Sequence, residues 1–309
     1  MSLAICLLLI GLFVLVRSGP LFVDGAVQLA RSLNMSSIVI GAIVLGFGTS
    51  APELVVSTIA ASQGDPALGV GNIVGSNVAN LSLVLGVAAL VTPIALTPSV
   101  TKRQAPLSIA AVFIFALLVW TGNELTRGEG AILLILLAVA MFVLIKTPAD
   151  DVLPQQRHQE TLGRGLLLSV LGLAGVLIGA QLTVSGATKL ADEWDLSGGF
   201  IGFSIVALGT SLPELVTAVA AARKKEAGLI VGNLFGSNLF NGLAGGAAMG
   251  LAGAGQIGDA KLTSGALIAM LGAVIWAYAR GALKRRIGKS DAIMLLAIYA
   301  GAMVYLAVG

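Results

Sequence analysis

Charge, histidine and cysteine are what this 309-residue chain has least of. Asp, Glu, Lys and Arg make up 11% of it and apolar residues 57%, whereas a soluble domain carries about 25% charged residues. So little charge argues against a water-soluble surface and points to lipid as the solvent. The only histidine, His158, rules out multi-His metal centres and any His-dependent hydrolytic dyad in the apolar segments, and the sequence has no His-Glu-x-x-His motif. The only cysteine, Cys6, rules out an internal disulfide. Residues 1–16 are as apolar as a signal-peptide core, but they lack a basic leading segment and an Ala-x-Ala cleavage site, so they read as a first helix.

Apolar length is abundant instead. A spanning helix needs roughly 20 apolar residues. The runs predict an all-α polytopic membrane protein with ten transmembrane helices at 2–31 (kinked near Gly19-Pro20), 36–61, 67–91, 105–121, 130–146, 164–190, 197–222, 227–252, 263–279 and 291–308. The second, third, seventh and eighth are long and rich in Gly, Ser, Thr and Asn, and are expected at the centre. The plainly apolar fourth, fifth, ninth and tenth are expected against lipid. Trp120, Trp194 and Trp276 fall near predicted span ends and read as interfacial anchors.

Basic residues orient the spans. The loops after spans 1, 3, 5, 7 and 9 hold 14 of the 18 Lys and Arg residues, from Arg31 to Lys289; the exceptions are Arg17, Arg127, Lys189 and Lys261. Odd loops are therefore cytoplasmic and both termini lie outside. The net charge of +3 is a topology signal that requires no nucleic acid. The longest connector, Thr147 to Gly163, divides the chain into a first five-helix unit (1–146), a cytoplasmic linker loop (147–163) and a second unit (164–309). An odd number of spans in each half places the second upside down, giving two inverted five-helix repeats.

The sequence repeats accordingly. Gly48-Thr49-Ser50-Ala51-Pro52-Glu53-Leu54-Val55 matches Gly209-Thr210-Ser211-Leu212-Pro213-Glu214-Leu215-Val216 at an offset of 161. Gly71-Asn72-Ile73-Val74-Gly75-Ser76-Asn77-Val78-Ala79-Asn80 matches Gly232-Asn233-Leu234-Phe235-Gly236-Ser237-Asn238-Leu239-Phe240-Asn241 at the same offset. Of the 20 aligned positions in 46–55 and 71–80, 13 are identical. Repeats whose helices are interrupted by Gly and Pro at matching positions point to a transport site at mid-membrane.

The chemistry of these blocks suits a hard cation. Proline lacks an N–H, so Pro52 frees the carbonyl of Gly48, and free carbonyls at membrane depth are tolerated only where they face a cavity or ligand. Helical spacing places Thr49 and Ser50 with Glu53, and Ser76 with Asn80, with Asn72 extending that stripe. Thr210, Ser211, Glu214, Ser237 and Asn241 repeat the pattern. The donors are carboxylate, hydroxyl, amide and carbonyl oxygens, which favour sodium or calcium over zinc or copper. One divalent ion, or several monovalent ions, cancels two carboxylates. Such mutually exclusive occupancy is the minimum logic of an exchanger.

Other readings compete. Ser50-x-x-Glu53 is also a capping-box pattern, and Gly71, Gly75, Gly232 and Gly236 suit close helix packing. Adjacent Asp150 and Asp151 read as solvated surface. The clusters Arg223-Lys224-Lys225 and Lys284-Arg285-Arg286 could hold anionic lipid, though topology alone explains them.

The paired Gly-Thr-Ser-x-Pro-Glu and Gly-Asn-x-x-Gly-Ser-Asn-x-x-Asn blocks resemble the two α-repeats of the cation/calcium exchanger superfamily, in the pattern of the prokaryotic sodium/calcium exchangers. The resemblance implies alternating access, with spans 1 and 6 sliding across a rigid core. It implies Glu53 and Glu214 as ligands shared by both ions, and Thr49, Ser50, Ser76, Thr210, Ser211 and Ser237 as mainly sodium ligands. Backbone carbonyls of Gly46 and Ala207 and the side chains of Asn80 and Asn241 would complete the shell. Several relatives carry Asp where this chain has Asn80 or Asn241, so two carboxylates stand here where three stand there.

The expectation is a sodium/calcium antiporter, not an enzyme, in a prokaryotic inner (cell) membrane. Its partners are calcium, sodium and the lipid bilayer, its transport unit is a monomer, and it needs no cofactor. A proton-coupled or other divalent-cation exchanger remains an alternative, as does a passive cation channel.

Overall fold

The computed structural model describes residues 2–64, 66–122, 124–146, 162–193, 207–253, 255–257 and 265–308. Most of the linker loop, with Asp150, Asp151 and His158, lies outside the described residues, as do Trp194, Lys261 and the start of the predicted seventh span.

The chain is mostly helical. The helices are α1 (Ser2–Ser32), α2 (Ser37–Ile40), α3 (Phe47–Thr49), α4 (Ala51–Ser62), α5 (Pro66–Ala79), α6 (Leu85–Val91), α7 (Ala105–Gly122), α8 (Arg127–Lys146) and α9 (Leu162–Glu193). They continue as α10 (Ala207–Thr210), α11 (Leu212–Arg223), α12 (Ala227–Phe240), α13 (Gly246–Ala252), α14 (Leu267–Lys284) and α15 (Lys289–Val308). Several are joined end to end through wide π turns at Gly41–Gly46, Asn80–Val84, Val100–Gln104 and Asn241–Gly245. Among the described residues six helical stretches are long and apolar enough to cross a membrane, and seven if Ser37–Thr49 and Ala51–Ser62, bent by 45°, count as one span.

The described parts of the predicted spans are mostly helical, with shifted ends. The fourth begins earlier because the π turn at Val100–Gln104 feeds α7. The ninth extends to Lys284, so Trp276 sits inside α14 under the guanidinium of Arg280, and not at the span end expected for an anchor. Trp120, by contrast, is 70% exposed near the end of α7.

Burial separates a centre from a periphery. In the most apolar stretch of Pro66–Val91, 78% of residues are buried, against 22% in Arg127–Lys146. Exposed Leu, Ile, Val and Phe side chains concentrate on α1, α8 and α9, which is the surface lipid would cover. The central helices bury polar side chains such as Asn72, Ser76, Asn233 and Ser237 among their apolar ones, groups that a water-soluble protein keeps mostly at its surface.

α1 and α9 pair antiparallel along their length through glycine. A Cβ on Gly25 would lie 2.3 Å from the Ser169 nitrogen, one on Gly172 2.4 Å from the Phe22 nitrogen, and one on Gly186 2.6 Å from the Leu8 nitrogen. Only a missing side chain allows backbones this close. Gly232 and Gly236 serve the same end inside the core, against Ile38, Gly41 and Ala42.

Two short ribbons tie the ends of the bundle. β1 (Ile94–Ala95) pairs with β4 (Arg286–Ile287), and β2 (Glu124–Leu125) pairs with β3 (Gly255–Gln256), both antiparallel. Shifting β1 by 161 residues lands on β3, and shifting β2 by one residue more lands on β4. Each ribbon therefore joins counterparts of the strands in the other.

Candidate ion-binding site

Both motif helices break at the same point. Ser50 has φ −82° and ψ 2°, and Ser211 has φ −87° and ψ 2°, so each serine leaves the helical conformation between two helical pieces. Pro52 and Pro213 occupy the first turn of α4 and α11, where a missing N–H removes no helical bond. Glu53 and Glu214 share those first turns, at the positive end of the helix dipole.

The serines that open these helices do not cap them: neither hydroxyl bonds a first-turn N–H. The capping-box reading therefore fails. Ser50 Oγ instead donates to Glu214 Oε1 at 3.3 Å, and Ser211 Oγ is buried with no partner.

The break also redirects the side chains. Helical spacing paired Thr49 and Ser50 with Glu53 of their own half, whereas most of the contacts formed run between halves. Thr49 Oγ1 donates to Asn233 Oδ1 at 3.3 Å and Thr210 Oγ1 to Asn72 Oδ1 at 3.4 Å. Ser237 Oγ lies 3.2 Å from the Gly46 carbonyl and 3.4 Å from Glu214 Oε1. Ser76 Oγ donates to Glu53 Oε1 at 3.3 Å within the first half. Asn80 and Asn241 each begin a π turn, a distortion often found at functional sites. Ala207 begins α10, four residues before the Ser211 break.

The sequence pattern missed a supporting layer. Asn72 Nδ2 donates to the Glu53 main-chain carbonyl at 3.2 Å and to Ser57 Oγ at 3.0 Å, while Ser57 donates on to Gly69 O. In the second half Asn233 Nδ2 donates to Thr217 Oγ1 at 3.1 Å, and Thr217 donates to Pro213 O. These bonds hold the amide oxygens of Asn72 and Asn233 towards the threonines across the site. Ser57 corresponds by the 161 offset to Ala218, so that offset does not pair it with Thr217.

Glu53 and Glu214 are 1% and 0% exposed and bond no basic side chain among the described residues. Glu53 uses one oxygen for Ser76 and Glu214 one for Ser50 and Ser237, and the other oxygen of each, Oε2, is buried without a partner. Asn80 Oδ1 and both amide atoms of Asn241 are likewise buried and unpartnered. Buried polar atoms are nearly always satisfied, so a concentration of oxygens without donors calls for a positive ligand. A helix terminus offers about 0.3–1 kcal/mol to a carboxylate, less than the roughly 2.5–3.5 kcal/mol that insertion of one charge costs. The helix ends therefore cannot sustain two carboxylates alone.

Fold and site together define an integral membrane protein built round a twofold carboxylate centre made of oxygen donors. A family model described as sodium/calcium exchanger protein matches residues 3–146 and 164–308, and the chain belongs to that family. It is 32% identical over 308 residues to a membrane protein of Methanocaldococcus jannaschii, covering 97% of each chain. It is 29% identical over 276 residues to the sodium/calcium exchanger MaX1 of Methanosarcina acetivorans, covering 76% of this chain and 79% of that one. Its fold superposes on a structure of the sodium-calcium exchanger NCX_Mj with a TM-score of 0.87, at 31% identity and 98% coverage of both chains.

Proposed function

We propose that this protein is an antiporter that exchanges sodium for calcium by alternating access, with Glu53 and Glu214 as the ligands both ions share. One observation carries the reading: two buried carboxylates, one from each half, each with an oxygen left without a donor. Thr49, Ser50, Ser76, Thr210, Ser211, Ser237, Asn80, Asn241 and the carbonyls of Gly46 and Ala207 complete the ligand set. A single calcium ion neutralises both carboxylates. Sodium ions neutralise them separately on the hydroxyl-rich flanks, so the two loads exclude each other.

The architecture under this reading is ten spans in two inverted repeats, residues 1–146 and 164–309, joined by a linker at 147–163. The common offset of the broken helices, the π turns at Asn80 and Asn241, and the exchanged ribbons support it. Under the same reading both termini lie outside a prokaryotic cell membrane, which the basic residues of the odd loops support. One chain holds both carboxylates, so the transport unit is a monomer.

Calcium-45 uptake into sodium-loaded proteoliposomes tests the reading, repeated with a proton gradient and with no gradient. Uptake is expected to follow the sodium gradient. Uptake driven by protons would identify a proton-coupled exchanger, and uptake with no counter-ion a channel; either result overturns the proposal.

A further inference from the structure

Next to the candidate ligands lies an amide pair whose orientation follows from a single acceptor. Asn238 Nδ2 donates to the main-chain carbonyl of Asn77 at 3.2 Å. A carbonyl oxygen only accepts, so the nitrogen of Asn238 faces it and the oxygen of Asn238 points the other way. That oxygen receives Asn80 Nδ2 at 3.0 Å. With its nitrogen committed, Asn80 turns Oδ1 away from Asn238, buried and without a partner.

We propose that Asn238 is a positioning residue for ion exchange: it locks the Asn80 carboxamide with its oxygen towards the cation, and the site has this lock on one side only. The inference rests on the reading of Asn80 as an ion ligand. Asn77, the counterpart of Asn238 at the 161 offset, does not hold Asn241. Its Nδ2 faces Met270 Sδ of α14 at 3.5 Å, and both amide atoms of Asn241 are unpartnered. Asn80 is therefore a fixed oxygen donor, whereas Asn241 is free to turn. An unlocked amide can present its NH₂ group, which repels a cation, and the lock removes that state before the ion arrives. Asn80 and Asn238 come from different halves, so the lock also joins the two halves at the ion.

The test is a mutant cycle in proteoliposomes, measuring the half-saturating calcium concentration and the turnover separately. Asn238→Ala is expected to raise half-saturation about 10-fold, the scale at which groups behind a metal ligand act, with turnover changed less than about two-fold. The same substitution made on Asn80→Ala is expected to add nothing, since its effect runs through Asn80. If Asn238→Ala fails to purify, Asn238→Gln displaces the same acceptor while keeping a polar group, and the cycle is read from it. A 10-fold shift that persists on Asn80→Ala overturns the lock. So does a raised half-saturation in Asn80→Ala with none in Asn238→Ala. Wild-type calcium dependence in Asn80→Ala overturns the ligand reading itself, and the lock with it.

Discussion

α1 and α9 meet through glycine, backbone against backbone, whereas the helices around Glu53 and Glu214 add to their glycine contacts a network of serine, threonine and asparagine. The first contact is made of dispersion and shape and has no direction. The second is a network of oriented bonds in which each amide fixes the next. Glycine packing lets a pair of helices act as one body while its outer surface stays greasy, and hydrogen-bond networks hold atoms at defined separations. A protein that must both move and coordinate an ion needs both, in different places. The two regions meet at points that include Gly19 against Val216 and Gly48 against Leu173.

The sharpest test of this division is charge removal in the centre. Glu53→Gln or Glu214→Gln is expected to abolish exchange and to leave the fold intact. Calcium at 100 times its dissociation constant should stabilise the wild type by about 2.7 kcal/mol, and neither variant should show that gain in thermal unfolding. A wild-type calcium shift in either variant would move the site elsewhere.

The next effect belongs to the outer pair. Gly172→Val places a Cβ 2.4 Å from the Phe22 nitrogen and 2.5 Å from its Cα, and backbone atoms cannot swing aside. Overpacking of this kind costs about 1–3 kcal/mol. The expected result is a lower melting temperature and exchange reduced by more than about 10-fold. A normal rate would show that α1 and α9 need not pack tightly for transport.

The smallest effect lies where the two regions meet at the bundle end. Asp24 of α1 forms an ion pair with Lys224, just after α11. Burial pushes the carboxyl of nearby Glu226 up, opposed by the positive charges of Arg31 and Lys224. The Asp24 and Lys224 side chains are 49% and 33% exposed, so the pair is screened and worth about 0–1 kcal/mol. Asp24→Asn should change the exchange rate by less than about five-fold at low salt and not at all at high salt. A larger or salt-independent change would make this pair a structural member of the core.

The apolar helices, the burial of the polar ones and the Glu53 and Glu214 breaks were legible because hydropathy and a fixed offset are properties of the chain itself. The partners of the site were not. Helical spacing pairs Ser50 with Glu53, but the turn at Ser50 sends its hydroxyl to Glu214, and a break in φ and ψ leaves no periodic trace. Ser57 and Thr217 do one job from positions that do not align. Asn77 and Asn238 stand inside the repeated motif, yet the stripe through Asn72, Ser76 and Asn80 passes them by. Their bonds depend on how the halves meet.

The glycine seam between α1 and α9 has one more consequence. Under the proposed alternating access, two helices joined from Gly165 to Gly186 of α9 would move as one body, so a motion that uncovers the ion at one membrane face would cover it at the other. Efficiency in a coupled pump is lost through states open to both sides, and a hinge within the pair would supply such states. The seam denies them, and tight coupling becomes a matter of where side chains are missing.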